Sequence, residues 1–243
     1  LEHYSPTQVG MKTLEVNVSD VVAMGAEPEL LLLNLVLPGD VEVEWVQEVY
    51  RAIRDGCDRH GITLVGGDTT GGPCVMLGAT LTGRTEKPVY RSGAKVGDAI
   101  CVTGDVGAAA AGMKMFLTGQ RPEGHVLKQH LEPRCRHDLG PAISRYANSM
   151  IDVSDGIAPE VRRICERSEV GAVVDSRKLP ILEETTTAAA SAGTTGVACA
   201  LSGGEDFELL FTLPPAAVRE LRSAVQDFTV IGGIVDAGKG LHY

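Results

Sequence analysis

The 243-residue chain has no C-x-x-C pair, no surplus of positive charge, no apolar run long enough to span a bilayer and no G-x-x-x-x-G-K-[ST] loop. Each absence excludes a class. Six cysteines, Cys57, Cys74, Cys101, Cys135, Cys165 and Cys199, stand singly, so their spacing suggests neither a zinc motif nor a redox motif. Twenty-two Lys and Arg against 32 Asp and Glu leave a formal charge of -10, which argues against gripping nucleic acid or an anionic membrane by bulk electrostatics. Without an apolar span or a basic leader, the expected setting is the cytoplasm, with reduced thiols. The chain opens at Leu1 without a methionine and is expected to be a fragment. What remains, 44% hydrophobic and 22% charged residues, is the balance of a globular protein with a real core.

From Met11 to Met24 apolar residues recur at helical spacing, with Gly25 placed to stop the helix. ELLLLNLVLP, ended by Pro38 and Gly39, reads as a buried strand rather than a helix. Val43, Val46, Val49, Ile53 and Cys57 mark an amphipathic helix to about His60. ITLVGGD and CVMLGATLTGR read as strands joined by a TTGGP loop. The character changes in VYRSGAKVGDAICVTG, which puts a domain boundary between Lys87 and Gly97. Beyond it the pattern predicts a helix over 104–117, a polar loop or lid over 119–136 and a helix around 138–147. Next come the strand SMID, the helix IAPEVRRICERS, the strand GAVVD and an unplaced TTTAAASAG. The strand FELLFTLP, the helix AAVRELRSAVQ and the strand FTVIGGIV finish the chain.

Four acidic clusters interrupt this pattern: NVSD, GGDTTGGP, IDVSDG and SGGEDFEL. Asp20 sits among Leu14, Val16, Val18, Val21, Val22 and Met24, three residues from Asn17 and on the same helix face. Burying a carboxylate there is costly unless something positive meets it. Asp68 either caps a turn or belongs to a phosphate or metal loop. Asp152 and Asp155 lie at a strand end, where Ser154 or Asp155 could simply cap the next helix, or where two carboxylates could hold Mg2+. Glu205 and Asp206 approach a strand through glycines. Together, in so acidic a chain, the clusters point to nucleotide binding bridged by divalent ions, with Arg91 as a lone cation for phosphate.

NVSDVVAMGA, LVGGDTTGGP, RSGAKVGD, IDVSDG and SGGEDFELLFT, in this order, closely resemble the thiamine-monophosphate kinase family, over Ser5 to Gly232. That family falls in the superfamily of aminoimidazole ribonucleotide synthetase. The resemblance implies a two-domain α/β fold, each domain a mixed sheet packed with helices. Residues 1–90 would bind ATP and Mg2+, and residues 91–243 would form a C-terminal α/β domain. It further implies a homodimer built by pairing first-domain sheets into a barrel. Asp20, Asp68, Asp152 and Asp155 would be ligands of several Mg2+ ions. Tyr50, Gly67, Asp68, Arg91 and Ser154 would contact ATP or its metals, and Glu205 the thiamine monophosphate. The family's Gly-Asp-Asp opening is not found here, and EHY, with His3, stands as the counterpart of its His-Phe pair although it lies close to NVSD.

The implied reaction is direct γ-phosphoryl transfer from ATP to thiamine monophosphate, the last step of thiamine diphosphate synthesis, with no general base. Two alternatives stay open: another ATP-using member of the superfamily, on a purine ribonucleotide or selenide, and a non-catalytic nucleotide-binding protein.

Overall fold

A computed structural model describes residues 3–243. Helix α1 (Pro6–Ala23) starts from a capping box, in which Ser5 and Gln8 satisfy each other's backbone N–H groups, and Pro6 is preset for the first turn. Then follow β1 (Glu27–Leu37), α2 (Val43–His60), β2 (Thr63–Gly71) and β3 (Met76–Arg84). After a linker come β4 (Ala99–Thr103), α3 (Ala108–Leu117), α4 (Gly124–Leu131), α5 (Gly140–Ile143), β5 (Ser149–Asp152) and α6 (Ile157–Ser168). The chain closes with β6 (Gly171–Val174), α7 (Glu183–Ser191), α8 (Gly196–Ser202), β7 (Leu209–Leu213), α9 (Pro215–Ala224), β8 (Phe228–Val235) and β9 (Leu241–His242). No helix among the described residues is long and apolar enough to cross a membrane.

The strands form two mixed sheets, one ordered β2-β1-β3 and the other β5-β7-β4-β8-β6-β9. Strand period divides the second sheet between two cores. Cys101, Met150, Phe211 and Leu213 join Leu14, Val18, Leu31, Leu33, Leu35 and Ile53 in one core, so α1 and α2 are packed between the sheets. Ile100, Val102, Ile151 and Leu210 point the other way, onto Ile157, Val161 and Ile164 of α6.

In the first sheet the same alternation leaves one face bare. Leu31, Leu33 and Leu35 are 1% exposed, whereas Leu30 and Leu32 are each 43% exposed and Met76 57%. The expectation of a buried strand therefore holds for one face only, because nothing among the described residues covers the outer side.

Four further expectations differ. The helix expected around 138–147 is only the four-residue α5. TTGG is not wholly loop, since β2 runs to Gly71 in register with Leu37. The 119–136 segment holds α4, whose buried side is only Val126, His130 and Leu131, too short a pattern to stand out. TTTAAASAG is largely α7, which buries Thr185 and Ala189.

Candidate active site

The cleft is built where α1, the end of β5 and the GGEDFE segment meet. Asn17 and Asp20 face it from α1, and Tyr4, Lys12, Thr13, Leu77, Asp152, Ser154, Glu205 and Phe207 complete most of its wall around a volume of about 670 Å³. A second cleft of about 330 Å³ lies alongside, lined by Tyr90, Arg91, Ser92 and Arg167. Asp20 and Asp152 line both.

Their surroundings differ. Asp152 is 3% exposed and accepts a hydrogen bond from Ser19 Oγ at 2.8 Å. Burial and then the Asp20 charge push its carboxyl up to about 6, against that hydrogen bond. Asp20 opens onto the clefts rather than being enclosed by its apolar neighbours, which correct the expectation of a buried carboxylate by packing beneath it. Crowding by the protein pushes it up, and Arg91 pulls it partly back. A carboxylate raised by its carboxylate neighbour marks a shortage of positive charge at this wall. A third, Glu160, is fully buried; its Oε1 pairs with Arg163, while its Oε2 has no hydrogen-bond partner among the described residues. Acidic oxygens, with a buried unpartnered acceptor whose charge also raises Asp152, fit a hard divalent cation such as Mg2+.

Arg91 owes its place to the linker. Val89 N–H donates to Met24 O at 2.9 Å and Met150 N–H to Tyr90 O at 3.1 Å, which stitches the linker between α1 and β5.

The opposite wall is held by close backbone threading. Glu205 N–H donates to Ser154 O at 2.9 Å and Phe207 N–H to Val153 O at 3.0 Å. A Cβ on Gly204 would lie 2.2 Å from Ser154 O, so only glycine allows this approach. Glu205 and Phe207 both take positive φ, 62° and 52°, a costly conformation for residues with a Cβ. The resulting turn sends those two side chains to the cleft, while Asp206 and Glu208 are buried.

Ser154 and Asp155 do not cap α6: its N-cap is Gly156, without a side-chain cap, and the Asp155 N–H is taken by Glu160 Oε1 at 3.2 Å. The Asp155 carboxylate is paired with Arg163, nearly two turns into α6, and lines neither cleft. Asp68 also lines neither. It is exposed on β2, paired with Asn34 on the bare side of the sheet, and its N–H donates to Asn34 Oδ1 at 3.1 Å. Gly67 has φ of 152°, and a Cβ there would lie 1.7 Å from Leu33 O, so the strand itself requires glycine. Tyr50, half-buried on α2, borders a separate depression with Leu37, Val46 and Arg54. His3 stacks on Phe116 with ring centroids 4.0 Å apart, also away from the cleft.

Sequence reasoning missed Lys12. Its Nζ donates to Tyr4 Oη at 3.0 Å, His130 O at 2.9 Å and Glu205 Oε2 at 3.0 Å, which makes it the cation of the larger cleft. Its position on the same α1 face as Val16 and Asp20 was the available signal.

Comparison with known proteins agrees with this architecture. Residues 2–85 match the model of the AIR synthase related protein N-terminal domain, and residues 95–242 that of its C-terminal domain. The thiamine-monophosphate kinase of Aquifex aeolicus is 35% identical over 99% of this chain and 78% of its own length. The chain belongs to the thiamine-monophosphate kinase family. It is accordingly an enzyme of the ATP-dependent phosphotransferase class. The Escherichia coli K12 thiamine-monophosphate kinase is 37% identical over 88% of this chain and 67% of its own. Among solved structures, AaThiL complexed with AMPPCP and TMP superposes with a TM-score of 0.90 at 34% identity, over 98% of this chain and 77% of that one. The hydrogenase maturation protein HypE, in complex with ATP, reaches 0.81 at 19% identity, over 95% and 72%, and shares the fold.

Proposed function

We propose that this chain transfers the γ-phosphoryl group of ATP to the phosphate of thiamine monophosphate, giving thiamine diphosphate and ADP as the last step of thiamine diphosphate formation. The observation that carries this is the shared wall: two clefts meet at one carboxylate pair, Asp20 and Asp152. Donor and acceptor phosphates approaching from the two sides would come together there. The family relative complexed with AMPPCP and TMP supports two ligands at once.

In this reading the nucleotide phosphates enter beside Arg91 and Arg167, with Ser154 on the shared wall. Thiamine monophosphate takes the larger cleft, where Lys12 faces its phosphate and Glu205 holds Lys12 and the substrate in place. Asp20 and Asp152 would hold Mg2+, and Asp155, paired with Arg163 here, would complete the set if released from it. Bound Mg2+ would neutralise the phosphates and the charge developing during transfer. The acceptor is already an ionised oxygen, so alignment and charge compensation suffice without a general base.

The bare face of the first sheet supports a homodimer, in which a second copy covers Leu30, Leu32 and Met76. Asp68, Gly67 and Tyr50 then join the site from that copy. Two domains, about 1–90 and 91–243, and a cytoplasmic setting complete the proposal.

The direct test is incubation with ATP, Mg2+ and thiamine monophosphate. Thiamine diphosphate should appear; a folded protein that makes none overturns the reading. Mixing Asp20→Asn and Asp68→Asn homodimers tests the second copy. If Asp68 acts across the interface, random exchange restores about a quarter of wild-type turnover, through heterodimers with one intact site. If it acts within its own chain, nothing is restored.

A further inference from the structure

Away from the cleft, Glu15 on α1, His60 at the end of α2 and Cys135 after α4 offer one ligand atom each, all within 4.8 Å of one another. Glu15 is 2% exposed and Cys135 6%. Glu15 Oε1 lies 2.9 Å from His60 Nε2 and 2.8 Å from Arg59, and its Oε2 accepts the Cys135 N–H at 3.1 Å. Behind His60, its Nδ1 stands 3.1 Å from His137 Nδ1, and His137 Nε2 stands 2.7 Å from Glu27 Oε2.

This row, Glu27 to His137 to His60 to Glu15, has three short contacts, and each needs one hydrogen between its atoms. Two neutral imidazoles carry two hydrogens in all. With both rings neutral one of the three contacts lacks its hydrogen, and a cation seated between Glu15 and His60, where the Cys135 sulfur also converges, would complete the row.

We infer that Glu15, His60 and Cys135 form a binding site for a Zn2+-class transition-metal ion, distinct from the carboxylate site of the cleft. Mixed oxygen, imidazole nitrogen and thiolate donors suit Zn2+ and not Mg2+, which prefers oxygen ligands and retains water. His60 would bind through Nε2, with His137 and Glu27 fixing its ring through the far nitrogen, the usual support for a metal-bound histidine. Binding displaces the Cys135 thiol proton and turns Arg59, whose side chain is 42% exposed, toward solvent. A cavity of about 770 Å³, bordered by Arg59, His60, Cys135 and His137, gives the ion a path and a water for the fourth position. The ion would clasp α1 and α2 of the first half to the segment that carries Arg136, whose guanidinium holds Glu208 at 2.8 Å under the GGEDFE turn.

The test uses the whole chain with Cys74→Ser, which removes the exposed thiol. After chelator treatment the protein is titrated with Co2+ and then Zn2+. One Co2+ per chain should bind, with a near-ultraviolet thiolate-to-cobalt band that Zn2+ abolishes and excess Mg2+ does not. Cys135→Ala and His60→Gln should each remove the band. His137→Gln, which leaves all three ligands, should weaken Zn2+ about 10-fold or more. A folded Cys74→Ser protein without the band overturns the site, as does a band that survives both Cys135→Ala and His60→Gln. If Cys135→Ala does not fold, the His60→Gln result decides alone.

Discussion

Glu15 and Asp20 lie five residues apart on one helix, and their surroundings are opposite. Glu15 is enclosed: burial pushes its carboxyl up, but hydrogen bonds from His60 and Cys135 outweigh that, and the net shift is downward. Asp20 opens on two clefts and faces another carboxylate, and its net shift is upward. The first carboxylate has its positive partners supplied by the protein, so an added ion there must win on donor type. The second has a deficit of positive charge, and a hard divalent cation arriving with a phosphate meets it. The helix is the same; what differs is which charges the rest of the fold brings to each turn.

Substitution at the open site has the largest expected effect. Asp20→Asn or Asp152→Asn should lower Mg2+-dependent turnover on the order of 100-fold or more. Neither should lower the melting temperature, because each removes one of two mutually repelling carboxylates. Turnover close to wild type in both variants would sink the assignment of Mg2+ to this pair.

Acidity sharpens the contrast. The folded Asp152 carboxyl, at about 6, lies above its ordinary value of 3.8. Its contribution to the metal-free protein is therefore favourable below the ordinary value and is lost as pH rises through about 6, amounting to about 3 kcal/mol. Mg2+ needs the ionised form, so its affinity should fall by up to about tenfold per pH unit below that point. Mg2+ titrations at several pH values read this out. In Asp20→Asn the midpoint should move down, since one of the three causes that raise it is gone; an unmoved midpoint would mean that the two carboxylates do not interact.

Lys12 separates the two walls of the cleft. Lys12→Met should raise the KM for thiamine monophosphate by about tenfold, as expected for a lost charge-assisted contact. The KM for ATP should move much less. Equal effects on both would place Lys12 outside the substrate wall.

How much of this was legible depends on the range of the contacts. The three-residue spacing of Asn17 and Asp20, and the place of Asp152 at a strand end, are local facts, and both carry over into the clefts. Gly204 was legible as a hinge for the same reason. The left-handed backbone at Glu205 and Phe207 was not, because nothing in those side chains asks for it; the threading against Val153 and Ser154 imposes it. Asp155 looks equivalent to Asp152 in sequence, and only the fold shows its partner to be Arg163, eight residues further on. The outer face of β1 was misjudged because burial was read from an unbroken apolar run, and the run says nothing of what supplies the cover. The helix face of Lys12 was legible, but most of its contacts and those of the row behind Glu15 were not, since those partners come from segments more than 40 residues away in sequence.

Glu15→Gln breaks the comparison from the other side, with the smallest effect on chemistry. The amide keeps the volume but removes the charge that faces Arg59 and His60, and it presents a donor where only an acceptor fits. Losing one partner of a fully buried pair costs roughly 3 to 5 kcal/mol. With the Arg59 side chain 42% exposed, about 2 to 4 kcal/mol is expected, and a domain of this size loses about 2 to 4 °C of Tm per kcal/mol. The Tm should fall by several degrees while kcat stays within a few-fold of wild type, because Glu15 lines neither cleft. If turnover instead collapsed along with the Asp20 variants while the Tm held, the two carboxylates would serve one site. The division of labour along α1 would then have to be redrawn.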